Sequence, residues 1–227
     1  MLEFNSAVIR NGSFQLTANL SLTAGTLAAV VGPSGSGKST LIEAVSGFLP
    51  VTSGEIRWNG ARLDTVNVGD RPATMVFQDN NLFPHVTAGG NIRLARDGIT
   101  DEEIERGLTD VGLPGLAGRR PAELSGGQQA RVVLARTLLM ERPILLMDEP
   151  FSALGPGQRK TMLGLVTSLA RDRGMTLMMV THEPDDLALL DQVILVDGKA
   201  ARPPQNVLAF LKDPPQLWRE YIGLPSA

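Results

Sequence analysis

The sequence predicts an α/β fold built on a doubly wound, mostly parallel sheet. Two observations carry that expectation. First, Leu27-Ala28-Ala29-Val30-Val31, Ile144 to Met147, Leu177 to Val180 and Val193 to Val196 are apolar at every residue, as strands buried on both faces are. Second, the first of these runs ends in Gly32 and leads through a glycine-rich turn to a segment after Lys38 that reads as a helix, so the glycines stand at a strand-to-helix junction.

The remaining elements follow in chain order. Leu16 to Leu22 and Gly54 to Trp58 suggest antiparallel strands of a small β subdomain, joined by turn signals such as Asn59-Gly60. Thr74-Met75-Val76-Phe77 reads as a further strand. The region from Leu82 onward changes character, and Thr100-Asp101-Glu102-Glu103 places a threonine three residues before a glutamate, the capping signal that opens a helix. No repeat or low-complexity tract interrupts the chain. The tail after Gly198 is short, with Pro203-Pro204 and Pro214-Pro215, and leaves no length for an appended regulatory domain.

With 227 residues, the chain can bury one sizeable core, or one domain with a small subdomain. A formal net charge of -3 gives no general electrostatic reason to expect a nucleic acid or an anionic membrane surface as partner. Cysteine is absent, which excludes disulfides, thiolate metal sites and thiol nucleophiles and fits a reducing compartment. No uninterrupted apolar stretch is long enough to span a bilayer, and Met1-Leu2-Glu3-Phe4 does not open an export signal. If the protein works at a membrane, other subunits hold it there.

The chemistry begins at Gly32-Pro33-Ser34-Gly35-Ser36-Gly37-Lys38-Ser39-Thr40, which fits G-x-x-x-x-G-K-[ST]. In such a loop successive backbone N–H groups converge on phosphate oxygens, the helix N-terminus adds positive potential, and the lysine reaches the β and γ phosphates. The motif predicts binding of a nucleoside triphosphate, with Ser39 on magnesium. Asp148 follows an apolar run and belongs at the carboxyl end of a central strand, where its carboxylate can hold Mg²⁺. Glu149 comes next. Neighbouring side chains at a strand end point differently, so one acid faces the metal while the other polarises the attacking water. His182 follows Met178-Met179-Val180-Thr181 and emerges from a strand end toward the same place. Ser125-Gly126-Gly127-Gln128 precedes a helix running through Val132, Val133 and Leu134, and so presents another anion-binding amino end.

The ordered set of that glycine loop, Leu124-Ser125-Gly126-Gly127-Gln128 and Leu145-Leu146-Met147-Asp148-Glu149-Pro150 resembles the ATP-binding cassette (ABC) ATPases along nearly the whole chain. The resemblance implies a P-loop NTPase core over residues 1–81 and 137–227, including the antiparallel β subdomain, and a helical subdomain over 82–136 that carries the signature segment. It implies that Glu149 is the catalytic base, that His182 is the switch histidine, and that Gln78 senses magnesium and the attacking water. It implies that Ser125, Gly126, Gly127 and Gln128 meet the ATP of a second cassette, most simply an identical one.

The stretch Asn81-Leu82-Phe83-Pro84-His85-Val86-Thr87 resembles the coupling surface of bacterial importer cassettes, with Phe83 docking a permease helix and His85 a surface or packing residue. The implied function is to power solute import from the cytoplasmic face of the membrane, with ATP and Mg²⁺ as cofactors and with permease subunits and a substrate-binding protein as partners. The nucleotide motifs are shared with exporter and lipoprotein-extraction cassettes. Soluble cassettes acting on DNA or ribosomes usually carry a long coiled-coil insertion or tandem cassettes, and neither is present. Likeness to small thiamine-, iron- or polyamine-type cassettes hints at a substrate class. Two positions depart from the family pattern. Gly155, after Ser152-Ala153-Leu154, occupies the usual D-loop aspartate position. Asn11 stands where an adenine-stacking aromatic is expected, with Phe14 the candidate substitute and Trp218 and Tyr221 assigned to packing.

Overall fold

The computed structural model describes residues 1–77, 82–152 and 154–221. Strands β1 (Leu2–Asn11) and β2 (Phe14–Leu22) form an antiparallel hairpin, and β2 alternates buried and exposed residues as a sheet with one wet face does. β3 (Leu27–Val31) is buried throughout and feeds α1 (Lys38–Ser46). β4 (Val51–Trp58) pairs with β1, and β5 (Ala61–Arg62) pairs with β4. Next come β6 (Ala73–Val76), α2 (Ala88–Arg93), α3 (Asp101–Asp110) and α4 (Gly126–Leu139). β7 (Ile144–Asp148), α5 (Pro156–Asp172), β8 (Thr176–Val180), α6 (Pro184–Leu187) and β9 (Gln192–Asp197) complete the centre. The short β10 (Ala200–Ala201) and β11 (Gln205–Asn206) precede α7 (Val207–Lys212) and α8 (Gln216–Tyr221).

In space the strands run β5-β4-β1-β2-β10-β9-β3-β8-β7-β6, with β11 beside β9. Neighbours from β9 to β6 are all parallel, and β10 stitches them to the antiparallel part by pairing with both β2 and β9. The apolar runs alternate between two cores. Leu27, Ala29, Val31, Leu145, Met147, Leu177 and Met179 pack beneath α2 to α5, whereas Ala28, Val30, Ile144, Leu146, Met178 and Val180 pack beneath α1 and the antiparallel strands. A one-residue slip in any of these strands would exchange the two cores, so the register is fixed from both sides.

The antiparallel part holds a strand beyond those expected from the sequence. The strands containing Leu16 to Leu22 and Gly54 to Trp58 do not pair with each other; both flank β1, which the sequence reading lacks. Asn59-Gly60 instead turns β4 into β5, setting Trp58 opposite Ala61. The reason lies in a bulge between Phe4 and Ala7, with Ser6 at φ 48, that shifts the period of β1. Leu2 and Phe4 are buried in one phase, Ala7 and Ile9 in the other, and no strict alternation survives.

The helix signalled at Thr100 forms with both halves of its capping box: Thr100 Oγ1 accepts from Glu103 N at 3.2 Å, and Thr100 N donates to Glu103 Oε2 at 2.8 Å. Residue 136, the expected end of the helical subdomain, lies inside α4, which continues to Leu139. Trp218 is buried against Phe210 at a ring separation of 5.9 Å. No helix among the described residues is long and apolar enough to cross a membrane.

Candidate active site

The glycine loop leaves β3 under tight steric constraint. Gly32 has φ 147, and a Cβ there would come within 2.1 Å of the Val196 carbonyl oxygen on β9, so no side chain fits. Gly37, at φ 107, opens α1 with no side-chain cap, and a Cβ would lie 3.0 Å from the Phe14 ring. The amide groups of the first turn therefore remain available to an anion. Ser36 Oγ is buried and makes no hydrogen bond among the described residues. A buried hydroxyl without an acceptor is unfavourable, and a phosphate oxygen would satisfy it.

Lys38 crosses the mouth of this loop. Its Nζ donates to the Gly32 and Pro33 carbonyls, each at 2.9 Å. Burial holds its pKa below the ordinary lysine value, opposed by the nearby charges of Glu149 and Asp148. The cleft beside it has a volume of about 380 Å³ and is lined by Asn11, Phe14, Gly35, Lys38, Ser39 and Glu149, together with Ser34, Gly37 and Thr40. Phe14 thus supplies an aromatic wall that Asn11 cannot.

The two carboxylates have different partners, and the backbone turns at the second. Asp148 ends β7 and accepts from Ser39 Oγ at 3.2 Å. Burial pushes the pKa of this carboxyl up, with the Ser39 hydrogen bond opposing the shift. A hydroxyl and a carboxylate oxygen this close form a hard-donor pair suited to Mg²⁺, which takes one or two protein ligands and completes its shell with phosphate and water. Glu149 adopts the left-handed conformation, φ 46, at a cost of about 1–2 kcal/mol for an L-residue. Its carboxylate meets the imidazole, with 2.9 Å between Glu149 Oε2 and His182 Nε2. The meeting is dictated by register: Asp148 on β7 stands opposite Val180 on β8, so Glu149 and the Thr181-His182 pair leave adjacent strands at the same level.

The structure therefore brings Gly32 to Thr40, Asp148, Glu149 and His182 together. Ser125, Gly126, Gly127 and Gln128 lie elsewhere. Ser125 Oγ accepts from Gln128 N at 3.3 Å and Gln128 Oε1 accepts from Ser125 N at 2.9 Å, capping α4, while Gly126 and Gly127 have open space where a Cβ would be. This segment borders a separate cleft of about 370 Å³ with Arg131, Gly157 and Thr161. Gln78, Asn81 and Ala153 lie outside the described residues.

A model of the ABC transporter family matches residues 16–152 of the chain. The chain belongs to that family. It is an ATPase with the P-loop cassette fold. Two similar proteins are the thiamine import ATP-binding protein ThiQ of a Ruegeria species, 46% identical over 98% of this chain and 100% of the relative, and that of Cereibacter sphaeroides, 45% identical with the same coverage. Among solved structures, the dimeric post-hydrolysis state of the ATP-binding cassette MJ0796 bound to ADP and Pi aligns with a TM-score of 0.76 and 25% identity, covering 91% of this chain and 99% of that one.

Other residues of the cassette come into view only with the fold. Asn91 is fully buried; its amide nitrogen donates to the carbonyls of Phe83, Val86 and Thr87, and its Oδ1 accepts from Phe83 N at 2.8 Å. It holds exposed Phe83 and His85, whose rings meet edge-on, in one loop geometry. An asparagine within a helix carries no such signal in the sequence. Gly155 is the N-cap of α5, with φ -64, ψ 157 and no side-chain cap.

Proposed function

We propose that the chain is the ATP-hydrolysing subunit of a thiamine importer, acting as one of two facing copies held against permease subunits on the cytoplasmic face of the cell membrane. The full-length likeness to ThiQ proteins supports both the direction of transport and the substrate. A substrate-binding protein delivers the cargo. The division into a nucleotide-binding core, 1–81 with 137–227, and a helical part, 82–136, belongs to the same proposal.

The observation that carries the two-copy mechanism is that the phosphate cleft and the signature segment line different cavities of one chain. A single copy leaves the Lys38 cleft uncovered; the capped amino end of α4 in a facing copy would cover it. Gly32 to Thr40 would cradle the phosphates, and Phe14 would stack on the base. Ser39 and Asp148, with Gln78, would hold Mg²⁺, whose chemistry is to neutralise charge on the β and γ phosphates. Glu149 takes the proton of the attacking water, and His182 fixes the Glu149 carboxylate and contacts the γ phosphate.

The importer reading is tested in proteoliposomes holding the permease, the binding protein and this cassette. ATP-dependent accumulation of labelled thiamine is expected. An assembled complex that hydrolyses ATP without moving thiamine would sink the substrate assignment. Ser125→Arg tests the shared site. The bulky cation blocks closure at an exposed position remote from the Lys38 cleft, so nucleotide binding persists while the ATP-dependent dimer is lost. An ATP-stable Ser125→Arg dimer, seen by light scattering, would contradict the model. Phe14→Ala removes the aromatic wall and should weaken ATP binding by about 5- to 10-fold, a stacking loss of roughly 1 kcal/mol or slightly more. Titration with ATP and with inorganic triphosphate separates the effects, because triphosphate lacks the base and its affinity should not change.

A further inference from the structure

We infer that Arg159, Thr181 and Asp186 form a positioning lock that ties the loop carrying His182 to the first turn of α5 and thereby sets the imidazole against Glu149. The inference rests on the reading of Glu149 and His182 as the hydrolytic pair. Arg159 grips Asp186 with two nitrogens, Nε to Oδ1 at 3.2 Å and Nη2 to Oδ2 at 2.5 Å, while Nη2 also donates to Thr181 Oγ1 at 3.1 Å. Thr181 Oγ1 in turn donates to Asp186 Oδ2 and accepts from Glu183 N at 3.1 Å. A further ion pair joins Arg159 to Glu183 at 3.6 Å. The residues on both sides of His182 are thus bound to one guanidinium, with Thr181 and Asp186 both buried.

That guanidinium belongs to α5. Arg159 N donates to Gly155 O at 2.9 Å in the opening turn of the helix, immediately after the Ser152 to Gly155 segment. Beneath the lock, Thr181 N is anchored to Val30 O on β3 at 3.3 Å. An ion pair with one buried and one partly buried member adds little net stability relative to an apolar pair of the same shape, whereas its fork geometry specifies one arrangement. The rigid connection makes the start of α5 and the switch histidine move as one body, so a contact made at Gly155 reaches His182 through Arg159.

The test compares Thr181→Val, which keeps the shape but removes the hydroxyl, with Thr181→Ser, which restores it, in the full chain. Thr181→Val is expected to lower kcat for ATP hydrolysis by about 10-fold or more, the scale of a misplaced catalytic group. KM for ATP should stay within about twofold of the parent, and Thr181→Ser should recover most of kcat. An independent readout uses the fact that the chain has only two histidines, His85 and His182. In imidazole NMR spectra Thr181→Val should shift the His182 signals and leave those of His85 in place.

Arg159→Lys, which retains charge without the fork, is the second variant should thermal melting show Thr181→Val to be poorly folded, and it is expected to reproduce the kcat loss. Parental kcat in the folded variants while His182→Ala is inactive overturns the lock and spares the site reading. A rise in KM with unchanged kcat overturns it too. Parental turnover in His182→Ala instead removes the catalytic reading, and the NMR comparison then decides the lock alone.

Discussion

Glu149→Gln should bind ATP, fail to hydrolyse it and accumulate as an ATP-dependent dimer. The amide preserves the size of the side chain and can still meet His182 Nε2, which lies 2.9 Å from the carboxylate in the parent. It should also tolerate the left-handed backbone at φ 46 as well as the acid does, so the turn after β7 is kept. What is lost is proton acceptance. General base catalysis is worth about 10²- to 10⁴-fold, and turnover should fall by at least that much. Among the described residues no hydrogen bond joins the Glu149 side chain to the phosphate cradle, Gly32 to Thr40, and the change removes only a negative charge near Lys38. Size-exclusion chromatography with light scattering, with and without Mg-ATP, reads dimerisation, and phosphate release reads turnover. A variant turning over at the parental rate would deprive Glu149 of its role. Intact ATP binding without a dimer would point to Gly155 as an obstacle to closure or to the permease as a requirement for it.

The parallel centre of the fold was legible because β3, β7, β8 and β9 are buried on both faces and leave unbroken apolar runs. The glycine loop was legible for a different reason: its backbone demands are extreme, and Gly32 cannot carry a side chain beside Val196. β1 escaped notice because its bulge places Leu2 and Phe4 out of phase with Ala7 and Ile9, which erases the two-residue period. The functional side chains divide in the same way. Lys38 and Ser39 open α1 after the glycine loop, and Asp148, Glu149 and His182 stand at strand ends, so local motifs fix their position. The partners that orient them stand in no such motif. Arg159 and Asp186 are 27 residues apart and meet only through the packing of α5 beside the end of β8. Asn91 looks like a polar residue on a short helix until the loop it holds is seen to fold back over it. Long-range polar contacts of this kind have no period and no motif, and so the sequence alone does not announce them.

Lys38→Ala should weaken ATP binding by at least about 10-fold. The ammonium is the cation directed into the phosphate cleft, and hydrogen bonds to a charged group contribute about 1.5–3 kcal/mol each, so losing one or two contacts costs about 10- to 10³-fold or more in affinity. A second effect reinforces the first. Lys38 lowers the pKa of Asp148, which burial already holds above the ordinary carboxylate range; without the ammonium that pKa rises further, and the affinity for Mg²⁺ falls as pH drops through it. The fold should survive, because the lost hydrogen bonds from the ammonium to Gly32 O and Pro33 O, about 1.5–3 kcal/mol each, are offset by the burial cost of the ammonium, which disappears with them.

The pH dependence of binding adds a check that a general loss of structure would not reproduce. Burial lowers the pKa of Lys38, so in the parent protein ATP affinity should decline on the alkaline side at a lower pH than an ordinary lysine would give. The residual binding of Lys38→Ala should lack that alkaline limb. Calorimetric titration with Mg-ATP across the pH range, with thermal melting as the control for folding, measures both. A folded Lys38→Ala protein that bound ATP as tightly as the parent would remove the cleft beside α1 as the nucleotide site, and with it the placement of Asp148 and Glu149 at the reacting phosphate.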